Sequence, residues 1–188
     1  MKTTFVAVGD CFITRRIPER GYEGFDELKD LIKSHDVKFA NLEQTFHDQE
    51  GYPSAASGGT WAMAEPELLD EVAKFGFNLY NVANNHTGDY GQGGVLATMQ
   101  HLKERKMIYA GIGRNLHEAS RPCYLETPQA RVAMIGVTTS FDPAAAAGGQ
   151  SVEMHGRPGL NPLNHKAIYH LTPETFKAAQ KLAQATLI

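Results

Sequence analysis

A chain of 188 residues with a formal charge of −3 is long enough to bury one substantial core, and a single domain over residues 1–188 is expected. Its 18 basic and 21 acidic residues are interspersed, which argues against a nucleic-acid-binding module, whose charge gathers into a basic face. Cys11 and Cys123 are too few for a disulfide framework, no apolar run is long enough to be a transmembrane segment, and no signal core opens the chain, so as written it reads as cytoplasmic.

Residues 3–10 read as a first strand, apolar enough to be buried on both faces as parallel strands usually are, and they run into Gly9-Asp10. Thr14-Arg15-Arg16 is a short basic turn. Phe25, Leu28, Leu31 and Ile32 at helical spacing predict a crossover helix over about residues 25–35, and a second strand over 37–42 ends at Asn41-Leu42-Glu43. Residues 47–60 show no periodicity and read as a long loop. Pro66 suits the first turn of the next helix, Leu68, Leu69, Val72 and Phe75 form its stripe, and Gly76 suits its end.

Phe77 to Ala83 then reads as a buried strand with a few polar interruptions, leading into Asn84-Asn85-His86-Thr87-Gly88-Asp89. After Gly93-Gly94, the spacing of Val95, Leu96, Met99 and Leu102 predicts an amphipathic helix that finishes in Lys103, Arg105 and Lys106, cations that complement its dipole. Residues 107–111 are a short strand, 113–119 a loop with a helical turn closed by Pro122, and 123–126 with 131–138 a β-hairpin. The Pro-, Ala- and Gly-rich stretch 141–149 is expected to be mobile, and 154–162 is too rich in Gly and Pro for helix or strand. Thr172-Pro173-Glu174 opens a last helix with Phe176, Ala179, Leu182 and Ala183 on one face. This alternation predicts an α/β fold with a mainly parallel sheet and right-handed crossovers. Because it stops on a helix with no returning strand, the fold is expected to be incomplete at its C-terminus, the N-terminal portion of a longer domain.

Three strands thus deliver Asp10, Glu43, Asn85 and His86 to one carboxyl edge of the sheet, where open α/β sheets bind ligands. Oxygen and nitrogen donors of this mix suit hard or borderline divalent metals. A pair of such metals clamps a displacement on phosphorus or activates a water, and a His off the metals protonates the leaving group. Taken singly, each residue has a plain structural role: Asp10 capping a turn, Glu43 pairing with Arg15 or Arg16, Asn85 in a left-handed turn, Asp89 capping a helix. Four together at one edge favour a shared site. His47, His101 and His117 read as exposed or half-buried residues of loops and helices, while His155, His165 and His170 are open between loop decoration and a metal role. Arg15, Arg16 and Arg157 are candidates for holding an anionic substrate. A thiol mechanism at Cys11 would need a base that the sequence does not place.

Gly9-Asp10, Asn41-Leu42-Glu43 and Ala83-Asn84-Asn85-His86 with Asp89 and Gly91 resemble the bacterial capsule-synthesis family linked to poly-γ-glutamate, a branch of the calcineurin-like metallophosphoesterases. Pro66 with the helix to Gly76, and Gly111-Ile112-Gly113 followed by Ala119 and Pro122, support it over residues 4–140, and Gly156-Arg157-Pro158-Gly159 is similar to a further family loop. The resemblance implies a metallophosphatase-like αββα sandwich with two divalent metals (manganese, iron or zinc). Asp10 would be a ligand in the first metal position, Glu43 the bridging acid, Asn85 a ligand of the second metal and His86 the acid near the leaving group. Phe12 stands where the classical phosphoesterases have a His, and Glu43 where they have Asp. Further His-containing motifs of the family would lie downstream of these residues. The implied activity is metal-dependent hydrolysis of a phosphate ester or a γ-glutamyl amide, on a small or polymeric anionic substrate held by Arg15 and Arg157. The alternative is a non-catalytic component working with other capsule-synthesis proteins, in a family often anchored to membranes.

Overall fold

The computed structural model describes residues 2–57, 59–168, 170 and 172–185. At its centre lies a four-stranded sheet in the order β1 (Phe5–Cys11), β2 (Val37–Leu42), β5 (Leu79–Asn81) and β6 (Tyr109–Ala110), with every neighbouring pair parallel. Parallel neighbours need crossovers, and these pass through α1 (Phe25–Lys33), then α2 (Leu68–Lys74), then α3 (Gly91–Glu104). Between β2 and α2 the chain also forms a parallel pair of two-residue strands, β3 (Thr45–Phe46) and β4 (Met63–Ala64). The mixed α/β arrangement with a mainly parallel central sheet agrees with the expected metallophosphatase-like fold.

Alternation along the strands sorts their side chains onto two faces. Ala40, Leu42, Tyr80 and Val82 bury themselves against Leu68, Leu69 and Val72 of α2 and Val95, Met99 and Leu102 of α3. Val37 and Leu79, with Phe39, meet Leu125, Val132 and Met134 of the antiparallel hairpin β8 (Cys123–Glu126) and β9 (Arg131–Met134). α1 adds Phe25 and Ile32 to a smaller cluster with Phe75.

Several expectations are corrected. β1 is an edge strand and is not buried on both faces: Phe5 is 56% exposed, because the hairpin covers the middle of that face and stops short of the edge. The strand expected over 107–111 is broken at Gly111, whose φ of +104° turns the chain from β6 into β7 (Ile112–Gly113). The Gly- and Pro-rich stretch 154–162 does contain a strand, β10 (Gly159–Leu160), antiparallel to β7. A side chain at Gly159 would meet the Ala145 carbonyl oxygen at 2.3 Å, so the glycine serves a close approach of backbones. The segment expected to be mobile holds a 3₁₀ turn, Pro143–Ala145, and the Ala147 amide donates to the Leu160 carbonyl at 2.8 Å. The second half of the predicted hairpin ends at Met134, short of Thr138.

α4 (Leu116–Ala119) is the expected helical turn, capped by the Asn115 side chain accepting from the Glu118 amide. α5 (Pro173–Ala185) forms where Thr172-Pro173-Glu174 predicts it, and Phe176 and Leu182 on its apolar side are exposed. The side chain expected at Ala183 lies outside the described residues. Among the described residues no helix is long and apolar enough to cross a membrane.

Candidate functional site

The C-terminal edge of the sheet carries a polar row that the register dictates. Asp10, Asn41 and Asn81 are cross-strand partners on β1, β2 and β5, so their side chains stand side by side. Asn81 Nδ2 donates to Asn41 Oδ1 at 2.8 Å, and Asn41 Nδ2 donates to Asp10 Oδ1 at 2.8 Å. The β1–β2 register shifts between Ala7 and Asp10, the kind of irregularity that re-aims a side chain beside a site.

Glu43 follows directly from β2, its amide donating to the Cys11 carbonyl at 3.2 Å. Its carboxyl lies against that of Asp10, and Asn41 Nδ2 also reaches Glu43 Oε2 at 3.4 Å. The hydrogen bond from Glu43, followed by that from Asn41, holds the Asp10 carboxyl below the usual range. Burial first, and the Asp10 carboxylate second, push Glu43 up to about 7.

His86 is brought to the same edge by a turn pinned from three sides. Asn84 Nδ2 donates to the Leu42 carbonyl at 2.9 Å, the His86 amide donates to Asn84 Oδ1 at 3.1 Å, and Thr87 Oγ1 donates to the Val82 carbonyl at 2.6 Å. The imidazole Nδ1 donates to Asp89 Oδ2 at 2.8 Å, which leaves Nε2 facing Glu43 Oε1 at 4.0 Å. Asp89 is buried and also accepts from the Ala62 amide at 2.6 Å. Phe12 sets its ring edge-on to His86, with centroids 6.0 Å apart.

Asp10, Glu43 and His86 therefore converge, and Glu43 pairs with neither Arg15 nor Arg16. Asn85 is exposed and lines a cleft of about 320 Å³ with Ser54, Ser57, Asp89, Ser140 and Asp142. Arg15 lines a different cleft, shared with Phe12. Arg157 is not brought to the site: its Nε donates to the Ala146 carbonyl at 2.9 Å and braces the 143–148 loop. Asp89 does not cap α3, which starts at Gly91 with no side-chain cap. Its partnership with His86 was readable in the His-x-x-Asp spacing, whereas Asn41 and Asn81 stand out only once the register is known.

His47, expected to be exposed or half-buried, is 1% exposed, and both ring nitrogens are engaged, Nε2 with Thr45 Oγ1 at 3.1 Å and Nδ1 accepting from the Gln49 amide at 3.1 Å. His155, His165 and His170 are exposed. Cys11 is buried and its thiol is pushed up to about 11, so it is a core residue and not a nucleophile.

Two carboxyls packed against each other, with Glu43 pushed up by burial and by Asp10, form a donor set that fits a hard divalent cation, whose charge would relieve the repulsion. Among the described residues no group of three or more His, Cys, Asp or Glu side chains is gathered to hold an ion. Asp10 and Glu43 would thus supply part of a coordination shell that water completes, as is usual for magnesium-like ions.

Residues 4–186 match the family model described as "Bacterial capsule synthesis protein PGA_cap". The uncharacterized proteins y4sH and y4uA of Sinorhizobium fredii (strain NBRC 101917 / NGR234) are each 34% identical over 185 residues, covering 97% of this chain and 40% of the relative. The capsule biosynthesis protein CapA of Bacillus anthracis is 30% identical over 169 residues, covering 86% of this chain and 40% of CapA. The chain thus spans about 40% of the length of the curated relatives it matches.

Proposed function

This chain belongs to the bacterial capsule synthesis protein family, and we propose that its sheet edge is the reacting end of a metal-dependent hydrolase acting on a phosphate ester or a γ-glutamyl amide. The observation that carries the reading is the convergence of a paired Asp10 and Glu43 with a His86 whose far nitrogen is held by Asp89. Asp10 and Glu43 would hold a divalent ion such as manganese, iron or zinc. When bound, such an ion supplies Lewis acidity and lowers the pKa of a water.

The chain's own residues do the rest. Asn81 and Asn41 fix the Asp10 carboxylate in one orientation. Asp89 fixes the His86 ring, so that Nε2 is turned toward the leaving oxygen or nitrogen to give it a proton, the role a carboxylate-backed imidazole fills in general acid catalysis. Phe12 sets its ring edge-on against the imidazole. A second reading, a non-catalytic component of a polymer-synthesis assembly, is favoured by the sparse set of ligands that gathers around Asp10 and Glu43.

The test is turnover of p-nitrophenyl phosphate and of a γ-glutamyl anilide with added manganese, wild type beside His86→Gln. Loss of general acid catalysis should lower kcat by about 10²–10⁴-fold with little change in KM. Turnover of neither substrate would refute the hydrolase reading and leave the non-catalytic one, and equal turnover by the variant would refute the role given to His86.

A further inference from the structure

Beside Asp10 the chain between β1 and α1 forms an open cleft that the chemistry above does not use. Its main part, about 600 Å³, is lined by Phe12, Ile13, Tyr22, Phe75 and the Arg15-Arg16 pair. Phe12, Ile13, Tyr22 and Phe75 also line a smaller hollow of about 270 Å³ that reaches Asp10. The two share these four side chains, so one aromatic wall borders both the hollow at Asp10 and the guanidinium groups. A main space of this order suits a small organic ligand.

Three features give the cleft a chemical preference. Phe12 and Tyr22 are 44% and 51% exposed, large rings left uncovered on one cleft, the mark of a binding surface more than of a core. The wall is built rigidly: Tyr22 packs on Phe25 at 5.2 Å between centroids, Phe25 on Phe75 at 5.3 Å, and Phe75 on Phe77 at 5.9 Å. Little ordering is left for a ligand to impose. At the far end Arg15 has no ion-pair or hydrogen-bonding partner for its guanidinium among the described residues. Arg16 faces the carboxylate of Glu71, which also accepts from the Ile17 amide at 3.1 Å. No acidic side chain lines the main cleft.

We propose that this cleft binds an amphiphilic organic anion, its apolar body against Phe12, Tyr22 and Phe75 and its anionic group on Arg15. The inference rests on the reading of Asp10, Glu43 and His86 as the reacting end, and it makes the cleft the subsite for the part of the substrate beyond the reacting bond. A substrate of this site then carries an apolar segment next to the bond that breaks and a second anionic group beyond it. A purely polar polymer repeat would leave the aromatic wall unused.

The probe is octyl phosphate, kept below its micelle concentration and titrated calorimetrically into the metal-free protein, beside inorganic phosphate and octyl glucoside. Burying the alkyl chain should make octyl phosphate bind at least about tenfold tighter than inorganic phosphate, since each methylene removed from water contributes to affinity. Arg15→Gln should abolish the preference for octyl phosphate over octyl glucoside. Tyr22→Ala, a change at a half-exposed ring, should weaken both alkyl ligands severalfold. Octyl phosphate binding no tighter than inorganic phosphate, or equally to wild type and both variants, would overturn the proposal. Manganese binding measured on the same three proteins separates the claims. Manganese retained with no octyl phosphate binding defeats the cleft alone, and octyl phosphate bound through Arg15 and Tyr22 without manganese binding supports the cleft while defeating the hydrolase reading.

Discussion

The tie between His86 and Asp89 yields the most direct structural prediction. Asp89 is 4% exposed, and one oxygen, Oδ2, accepts both the His86 Nδ1–H at 2.8 Å and the Ala62 amide at 2.6 Å. Those bonds hold the His86 turn to the end of the 47–60 loop, which the Ser54 amide fastens again by donating to the Asp89 carbonyl at 2.7 Å. Asp89→Asn keeps the shape and an acceptor for Ala62 but loses the charge-assisted bond to the imidazole, a loss of about 1.5–3 kcal/mol. Asp89→Ala strands the buried Ala62 amide as well, and the cost should rise to about 3–5 kcal/mol. In a chain of this length that corresponds to falls in Tm of about 3–12 °C for Asn and more for Ala. Urea unfolding followed by circular dichroism, with unchanged m-values, gives the two numbers and their order. An Asn variant within about 0.5 kcal/mol of wild type, the usual scatter of surface changes, would refute the idea that this carboxylate holds the His86 turn.

Three further outcomes follow from the same geometry. Asn81→Ala removes the donor to Asn41 and one to the Ala83 carbonyl, and should cost about 1–2 kcal/mol in urea unfolding while weakening manganese binding severalfold by freeing Asp10. Gly111→Ala would place its methyl 2.6 Å from the Ala83 side chain at a φ of +104°, and should cost about 2–4 kcal/mol, read as a shift in the urea midpoint. Glu71 is held below its ordinary range, chiefly by Lys74 and then by the Ile17 amide. A carboxyl whose folded pKa is depressed contributes stability above its unfolded pKa and loses it as pH falls through the folded one. Glu71→Gln should therefore be less stable than wild type near neutral pH, with the gap closing in acid, as unfolding midpoints measured across that range would report.

How much of this was legible in the sequence depends on whether the information was local. Asp10, Glu43 and His86 each stand just after an apolar run, and a parallel sheet gathers the ends of its strands at one edge, so their meeting could be read from the pattern. Asn41 and Asn81 could not be read that way. A polar residue in a strand looks like an interruption until the Asp10–Asn41–Asn81 register places three side chains in one row. The edge position of β1 was hidden for a related reason: an apolar run reports that a strand is buried somewhere, and the neighbour it lacks is a matter of long-range pairing. β3, β4, β7 and β10 have two residues each, too few for any period to appear. Gly159 misled by composition, since the glycine that reads as a strand breaker is what lets β10 approach the Ala145 backbone. Arg157 was singled out from a Gly- and Pro-rich loop motif, yet the Ala146 carbonyl holds its Nε, a contact no local pattern announces.

The central claim is that Asp10 and Glu43 form a cation site beside His86, and manganese content measures it most directly. The protein would be equilibrated with manganese, desalted and analysed by plasma mass spectrometry, wild type beside Asp10→Asn/Glu43→Gln. Urea unfolding of both metal-free proteins, run alongside, shows whether the variant is folded, so that a loss of metal is not put down to unfolding. The account predicts manganese retained by wild type and lost from the double variant. Manganese retained equally by both proteins, or by neither, would contradict it.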